Sequence, residues 1–282
     1  TTSPTPGPVQ FDMPSNETMN EAGETVAEAP LLPNIVPIEP DRNALKVPLQ
    51  ALSTARKPIL LAGLGVFWDK ASAELVALAE RLGAPVLTTS KCKGAIPEDH
   101  PLRAGCVIGG VIERELVMQS DLIVTVGLDA VELQPKPWPY TIPVISLSNT
   151  PSLEAMIPAQ SEMVGNLKSM LAALAEFSPE GSGWGESAAK TFRQQVSEAL
   201  DVPTKGLSPQ GAMAVARAVL PRETVATCDA GASRLLVVQK WQTYGPREFL
   251  TSNGLGSMGF AVPGALAARL AYPDRPVVAF TG

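Results

Sequence analysis

PILLAGLGVFWDKASAELVALAERLGAPVLT, residues 58–88, is the stretch on which the reading of the fold turns. Pro58-Ile59-Leu60-Leu61 is a short unbroken apolar run, as a strand covered on both faces requires. Gly63-Leu64-Gly65 reads as the turn after it, and Asp69 is a candidate N-cap for the helix that follows. Leu75, Leu78, Ala79 and Leu82 recur at helical spacing and form that helix's apolar face, which Gly83 ends. Pro85-Val86-Leu87-Thr88 is the next strand. Strand, helix and strand in one short span make a βαβ unit, and such units build parallel sheets.

Moving outward, Leu122-Ile123-Val124-Thr125-Val126 and Val144-Ile145-Ser146-Leu147 are two more buried strands. Residues 44–178 therefore form one α/β domain with a doubly wound parallel sheet. A connector over 179–205 contains a polar helix, Glu186 to Leu200. A second α/β unit, 206–282, opens with Ser208 as N-cap and Pro209 at the first helical position, its helix running to Leu220. Strands follow at Thr224–Cys228 and Glu248–Thr251, then a glycine-rich turn, a helix from about Gly259 to Ala271, and a strand at Val277–Phe280. At the other end, residues 1–15 hold one short strand, Gly7 to Pro14, whose partners are expected upstream because a lone strand is not stable. Residues 16–43, rich in Glu, Pro, Asn and Ala without either hydrophobic period, read as a linker. Both ends look cut, so the chain is expected to be a middle piece.

The 282 residues are 45% hydrophobic and carry a formal net charge of -6. An acidic chain offers no basic field for nucleic acid or anionic lipid. No apolar run approaches the roughly 20 residues that span a bilayer, and Thr1 opens no basic, apolar signal segment. Cys92, Cys106 and Cys228 fall in no metal-type spacing, and reduced thiols in a cytoplasmic protein are the expectation. The single histidine, His100, leaves no His-rich metal centre and reads as a turn residue. Trp138, among Pro135, Pro137 and Pro139, reads as the packing residue of a rigid loop.

Chemistry concentrates in Ser252-Asn253-Gly254-Leu255-Gly256-Ser257-Met258-Gly259-Phe260-Ala261-Val262-Pro263-Gly264-Ala265. Glycines there let backbone groups approach a ligand, and the following helix presents its positive end to an anion. Gly254, Gly256 and Gly259 meet the G-x-G-x-x-G spacing of dinucleotide loops. That reading needs an acidic residue at the end of the next strand, whereas Asp274 precedes Val277–Phe280.

The run Leu250–Gly259, with Pro263 and Pro273-Asp274-Arg275-Pro276-Val277-Val278 behind it, resembles the cofactor domain of thiamine diphosphate enzymes of the acetolactate synthase and pyruvate oxidase group. The resemblance implies that Gly254, Gly256, Ser257 and Met258 face the aminopyrimidine ring. The Gly256 carbonyl would accept from the exocyclic amine, and Met258 would be a wedge beneath the bent cofactor. Without the surrounding pattern Met258 reads as a core residue at a helix start. Cys228-Asp229-Ala230-Gly231-Ala232-Ser233 is similar to the loop that meets the diphosphate, with Gly231 allowing close approach and Ser233 donating a hydroxyl. Ala232-Ser233 stands where acetolactate synthases carry Gln-His, and Asp229 also reads as a turn residue holding backbone.

Lys93–Leu102 and Ser120–Gly127 resemble the family's central domain, which in some relatives holds FAD or ADP with the help of an Arg. Leu128–Gln134 has no Arg and includes Asp129 and Glu132, so FAD is not expected. The family's metal motif begins Gly-Asp-Gly, and Gly282 matches its first residue. The Mg²⁺ ligands and the catalytic glutamate are thus expected outside the chain, which alone is expected to be inactive. What the resemblance implies for the parent is a lyase or transferase acting on a small 2-oxoacid, a homodimer or tetramer with its active site shared between subunits. The competing expectation is a non-catalytic nucleotide-binding or assembly module of the same fold.

Overall fold

The computed structural model describes residues 12, 14–16, 20, 43–133, 138–151, 157–201, 203–254 and 256–282. Most of the strand expected at Gly7–Pro14 and of the linker expected over 16–43 lies outside these residues. In chain order the first unit holds α1 (Lys46–Thr54), β1 (Pro58–Ala62), α2 (Gly65–Trp68), α3 (Ser72–Leu82), β2 (Val86–Thr88), β3 (Arg103–Cys106), α4 (Val111–Met118), β4 (Leu122–Val126), a 3-10 turn (Ala130–Leu133), β5 (Val144–Ser148), β6 (Ser161–Val164) and α5 (Leu167–Phe177). Its six strands are all parallel, in the order β3-β2-β1-β4-β5-β6. The chain winds outward from β1 to β3, then returns to lay β4 on the other side of β1. That is the doubly wound order expected from the sequence.

The apolar runs are continuous because both sheet faces are covered. Along β1, Leu60 and Ala62 point into a core shared with Leu75, Leu78, Val124 and Leu171. Ile59 and Leu61 point the other way, into a second core with Leu87, Ile123 and Phe192. Phe192 belongs to α6 (Trp184–Leu200), so the polar helix of the connector closes the second face of the sheet. Gly105 in β3 lets it approach: a Cβ there would stand 2.5 Å from the Phe192 ring.

Asp69 corrects an expectation. It does not cap the helix after β1; α3 starts at Ser72 behind Ala71, and Asp69 closes the short α2. Its Oδ2 instead accepts from the Leu167 N–H at 2.7 Å, at the start of α5. A carboxylate near a helix N-terminus satisfies an orphan N–H and suits the helix dipole. Asp69→Ala is therefore expected to lower stability by about 1 kcal/mol in urea denaturation, through a helix almost a hundred residues away in sequence.

The second unit holds α7 (Pro209–Val219), β7 (Val225–Cys228), α8 (Ala232–Lys240), β8 (Phe249–Thr251), α9 (Ala261–Ala271) and β9 (Val277–Phe280). Ser208 caps α7 as its sequence suggests, accepting from Gly211 N at 3.0 Å with Pro209 at the first position. The strands form a parallel sheet in the order β8-β7-β9. The units are joined by backbone and side-chain bonds, Glu98 N to Thr243 O at 3.0 Å and Gln239 Nε2 to Cys106 O at 3.1 Å. No helix among the described residues is long and apolar enough to cross a membrane.

Candidate cofactor site

In the smaller sheet, Cys228 pairs with Thr251 on one side and Phe280 on the other. Three parallel strands thus end level, and the loops that leave them open on one edge. The carboxyl edge is where open α/β sheets hold ligands.

After β7 the chain passes through Asp229 and Ala230 to Gly231, which has φ 112° and ψ −174°. Only glycine adopts such angles without strain of about 1–3 kcal/mol. No atom lies within 4 Å of where a Cβ would stand, so backbone angle rather than crowding demands glycine here. Ala232 opens α8, and Ser233 follows in its first turn. The positive end of α8 and the Ser233 hydroxyl therefore face the same edge, an arrangement suited to an anion.

Asp229 is buried, and its Oδ1 accepts from Ala261 N at 2.7 Å, the first residue of α9. Its own N–H donates to Phe280 O at 3.0 Å. Asp229 thus holds backbone, as one of its two readings had it, but the backbone of another element. Asp229→Ala is expected to cost roughly 1–2 kcal/mol of stability, and Asp229→Asn much less, since an amide oxygen can keep the bond to Ala261. Thermal melts of the two variants check this.

After β8, the loop of Gly254, Gly256 and Gly259 takes φ values of 81°, 61° and 75°. The left-handed turns of this loop account for its glycines without a dinucleotide. Ser252 Oγ accepts from Ser257 N at 3.0 Å, folding the loop back on itself. Arg234, in α8, donates from Nη1 to Ser252 O and Asn253 Oδ1, each at 3.1 Å. A Cβ on Gly256 would stand 4.0 Å from Ala230 Cβ. The turn at Ala230 thus lies beside Gly256, and α8 is tied to Ser252 and Asn253 by an arginine that the sequence reading did not single out. Its one sequence signal was its place directly after Ser233. Leu255 lies outside the described residues.

Met258 is 81% exposed. The reading of Met258 as a helix-start core residue is overturned, because it precedes α9 and has no apolar cluster around it. Burial, and secondly the Asp229 charge, push the Cys228 thiol up to about 11, which disfavours the thiolate. His100 is a turn residue, with Nδ1 accepting from Leu102 N and Nε2 3.2 Å from Glu80 Oε1. Trp138 meets Tyr140 edge-on at 5.3 Å. Among the described residues no group of three or more His, Cys, Asp or Glu could hold a metal ion. The two loops fit a diphosphate: a glycine-only bend with open space before it, a helix N-terminus and a hydroxyl.

Comparison with known proteins gives two domain matches. Residues 45–174 match "Thiamine pyrophosphate enzyme, central domain", and residues 229–282 match "Thiamine pyrophosphate enzyme, C-terminal TPP binding domain". A Methanococcus aeolicus protein assigned as an acetolactate synthase large subunit is 29% identical, over 98% of this chain and 51% of that protein. The acetolactate synthase large subunit of Corynebacterium glutamicum is 28% identical over 98% of this chain and 46% of its own length. A solved structure from Mycobacterium smegmatis, described as a thiamin diphosphate-dependent enzyme, superposes with a TM-score of 0.68 at 25% identity. That match covers 89% of this chain and 50% of the other. The chain spans about half the length of the curated relatives it matches.

Proposed function

We propose that this chain, which belongs to the thiamine pyrophosphate enzyme family, carries the cofactor-facing loops of an enzyme that removes carbon dioxide from a 2-oxoacid and hands the remaining fragment to a proton or a second carbonyl. The observation that carries the reading is the meeting of two glycine-bent loops at the level ends of β7 and β8, beside the N-terminus of α8. When bound, thiamine diphosphate supplies an electron sink for the carbon–carbon bond being broken.

The residues of this chain bind and orient it. Gly231 lets backbone approach the diphosphate, while the positive end of α8 and the Ser233 hydroxyl compensate its charge. Mg²⁺ accompanies the diphosphate in this reading, since phosphate oxygens are commonly held through such an ion. Backbone at Gly254, Gly256 and Ser257 would hold the pyrimidine ring, and Met258 would serve as the wedge against it. Arg234 and Asp229 act as positioning residues, fixing one loop to α8 and the other to α9. The protein of which these loops are part is a cytoplasmic homo-oligomer in this proposal, its active site completed between subunits.

The test is carbon dioxide release from a panel of short 2-oxoacids by the purified whole protein, with and without thiamine diphosphate and Mg²⁺. Release that needs both additions is the expected result. No release from any 2-oxoacid, with thiamine diphosphate demonstrably bound, would refute the reaction. Bound nucleotide without turnover would favour the non-catalytic module instead.

A further inference from the structure

An open cleft of about 520 Å³ lies between β3, α6 and the second unit, where Arg103 begins β3 and Lys240 ends α8. The cofactor loops meet α8 at its other end, at Gly231, roughly 13 Å away along the helix. Four cations line the cleft: Arg103, Arg193, Arg217 and Lys240. Two carboxylates answer part of this charge. Glu98 is shared between Arg103 and Lys93, and Asp201 Oδ1 holds Lys240 Nζ at 2.7 Å. Arg193 and Arg217 have no ion pair among the described residues. Their guanidiniums donate to backbone carbonyls instead, Arg193 to Pro101 and Arg103, Arg217 to Gln242, Leu220 and Pro221. Carbonyls carry no net charge, so the cleft keeps a positive surplus.

Two buried polar atoms of its lining residues are unpartnered. The Arg103 side chain is 8% exposed, and its Nη2 has no hydrogen-bond partner among the described residues. Across the cleft, in α7, Gln210 Oε1 is a buried acceptor in the same condition. Such atoms are rare and ask for a reason. Burial, and next the Arg103 charge, also hold the Arg193 guanidinium below its ordinary value. Two like charges kept this close favour an anion between them.

We propose that this cleft binds the phosphate group of a small molecule, held by Arg103 and Arg193, with a hydroxyl of the same ligand donating to Gln210 Oε1. A phosphate offers enough acceptor oxygens for two forked guanidiniums, where a single carboxylate serves one. A water needs only about 10–15 Å³ of such space, so the cleft admits a phosphate with a short body attached. The ligand ties β3 and α6 to α7, across the contact between the two units. The inference rests on the cleft alone and would survive failure of the proposed reaction.

Calorimetric titration of the purified whole protein, with thiamine diphosphate and Mg²⁺ present, tests it. Inorganic phosphate and glycerol 3-phosphate are expected to bind one per chain with millimolar or tighter dissociation constants. Tighter binding of glycerol 3-phosphate assigns a phosphate monoester, and tighter binding of inorganic phosphate assigns the free ion. Sulfate, which brings no hydroxyl for Gln210, should bind several-fold more weakly. Arg193→Gln should weaken phosphate about tenfold, having lost a charged donor. Lys240→Gln should weaken it several-fold and serves if Arg193→Gln fails to fold. Ser233→Ala, at the cofactor loops, should leave phosphate binding unchanged. Phosphate failing to bind at 10 mM, a value on the order of weak surface attraction, would overturn the inference. So would sulfate binding as tightly as phosphate, affinity unchanged in both folded cleft variants, or affinity lost only with Ser233→Ala.

Discussion

Met258→Ala is expected to slow proton exchange at the thiazolium carbon of bound thiamine diphosphate by on the order of 100-fold, with the melting temperature almost unchanged. The two halves of this expectation have separate causes. Met258 is 81% exposed, so its truncation removes few contacts and the roughly 2–5 kcal/mol cost of emptying a packed methionine site does not arise. An exposed methionine between Gly256 and Gly259, in a loop pinned by Ser252 and Arg234, is held in place without being buried. That is what a wedge for a ligand requires. If Met258 sets the bend of the cofactor, removing it displaces the reacting amine by about 1 Å, which is enough for a loss of this size. Exchange followed by deuterium washout, alongside a melt of the same sample, separates the outcomes. Normal exchange in folded, cofactor-loaded variant would show that Met258 is not the wedge.

Glu98→Ala is expected to give the largest loss of stability, about 3–5 kcal/mol in urea denaturation. Glu98 Oε2 lies 3.2 Å from Lys93 Nζ, and its Oε1 lies 2.7 Å from Arg103 Nη1. The side chains are 1% and 8% exposed, so one carboxylate compensates two buried cations. Arg103 Nη2 already has no hydrogen-bond partner among the described residues. Removing Glu98 leaves both charges uncompensated away from water, which a folded domain with about 5–15 kcal/mol in hand can barely tolerate. Glu98→Gln keeps the shape and should cost nearly as much, because the missing quantity is charge. A loss below about 1 kcal/mol for both would show that water already solvates these cations.

The same ion pair explains part of what the sequence concealed. The unbroken runs at Ile59–Leu61 and Leu122–Val126 were legible because both faces of their sheet are covered. β3, Arg103-Ala104-Gly105-Cys106, was not anticipated, since it opens with an arginine and contains a glycine. Both suit a buried strand only through partners elsewhere: Glu98 for the charge, the Phe192 ring for the space at Gly105. β6, Ser161–Val164, is a polar edge strand with little apolar signal. α5 was different, because Leu167, Met170, Leu171 and Leu174 keep the helical period, and the pattern was there to be read.

At the site, glycine spacing and the resemblance brought both loops into view. Asp229 was legible as a residue that holds backbone, but not its partner Ala261, and Arg234 escaped because Ser252 and Asn253 become its neighbours only when β7 and β8 pair. The exposure of Met258 could not be read either, as a methionine before a helix is equally at home in a core and in a ligand site.

Amide hydrogen exchange of the whole protein, with and without thiamine diphosphate and Mg²⁺, tests the central claim most directly. Binding at the level ends of β7 and β8 should protect the amides of 229–234 and 252–259 together, and leave 63–65 and 108–110 unchanged. Protection confined to 63–65 or 108–110, with both glycine loops exchanging as before, would contradict it.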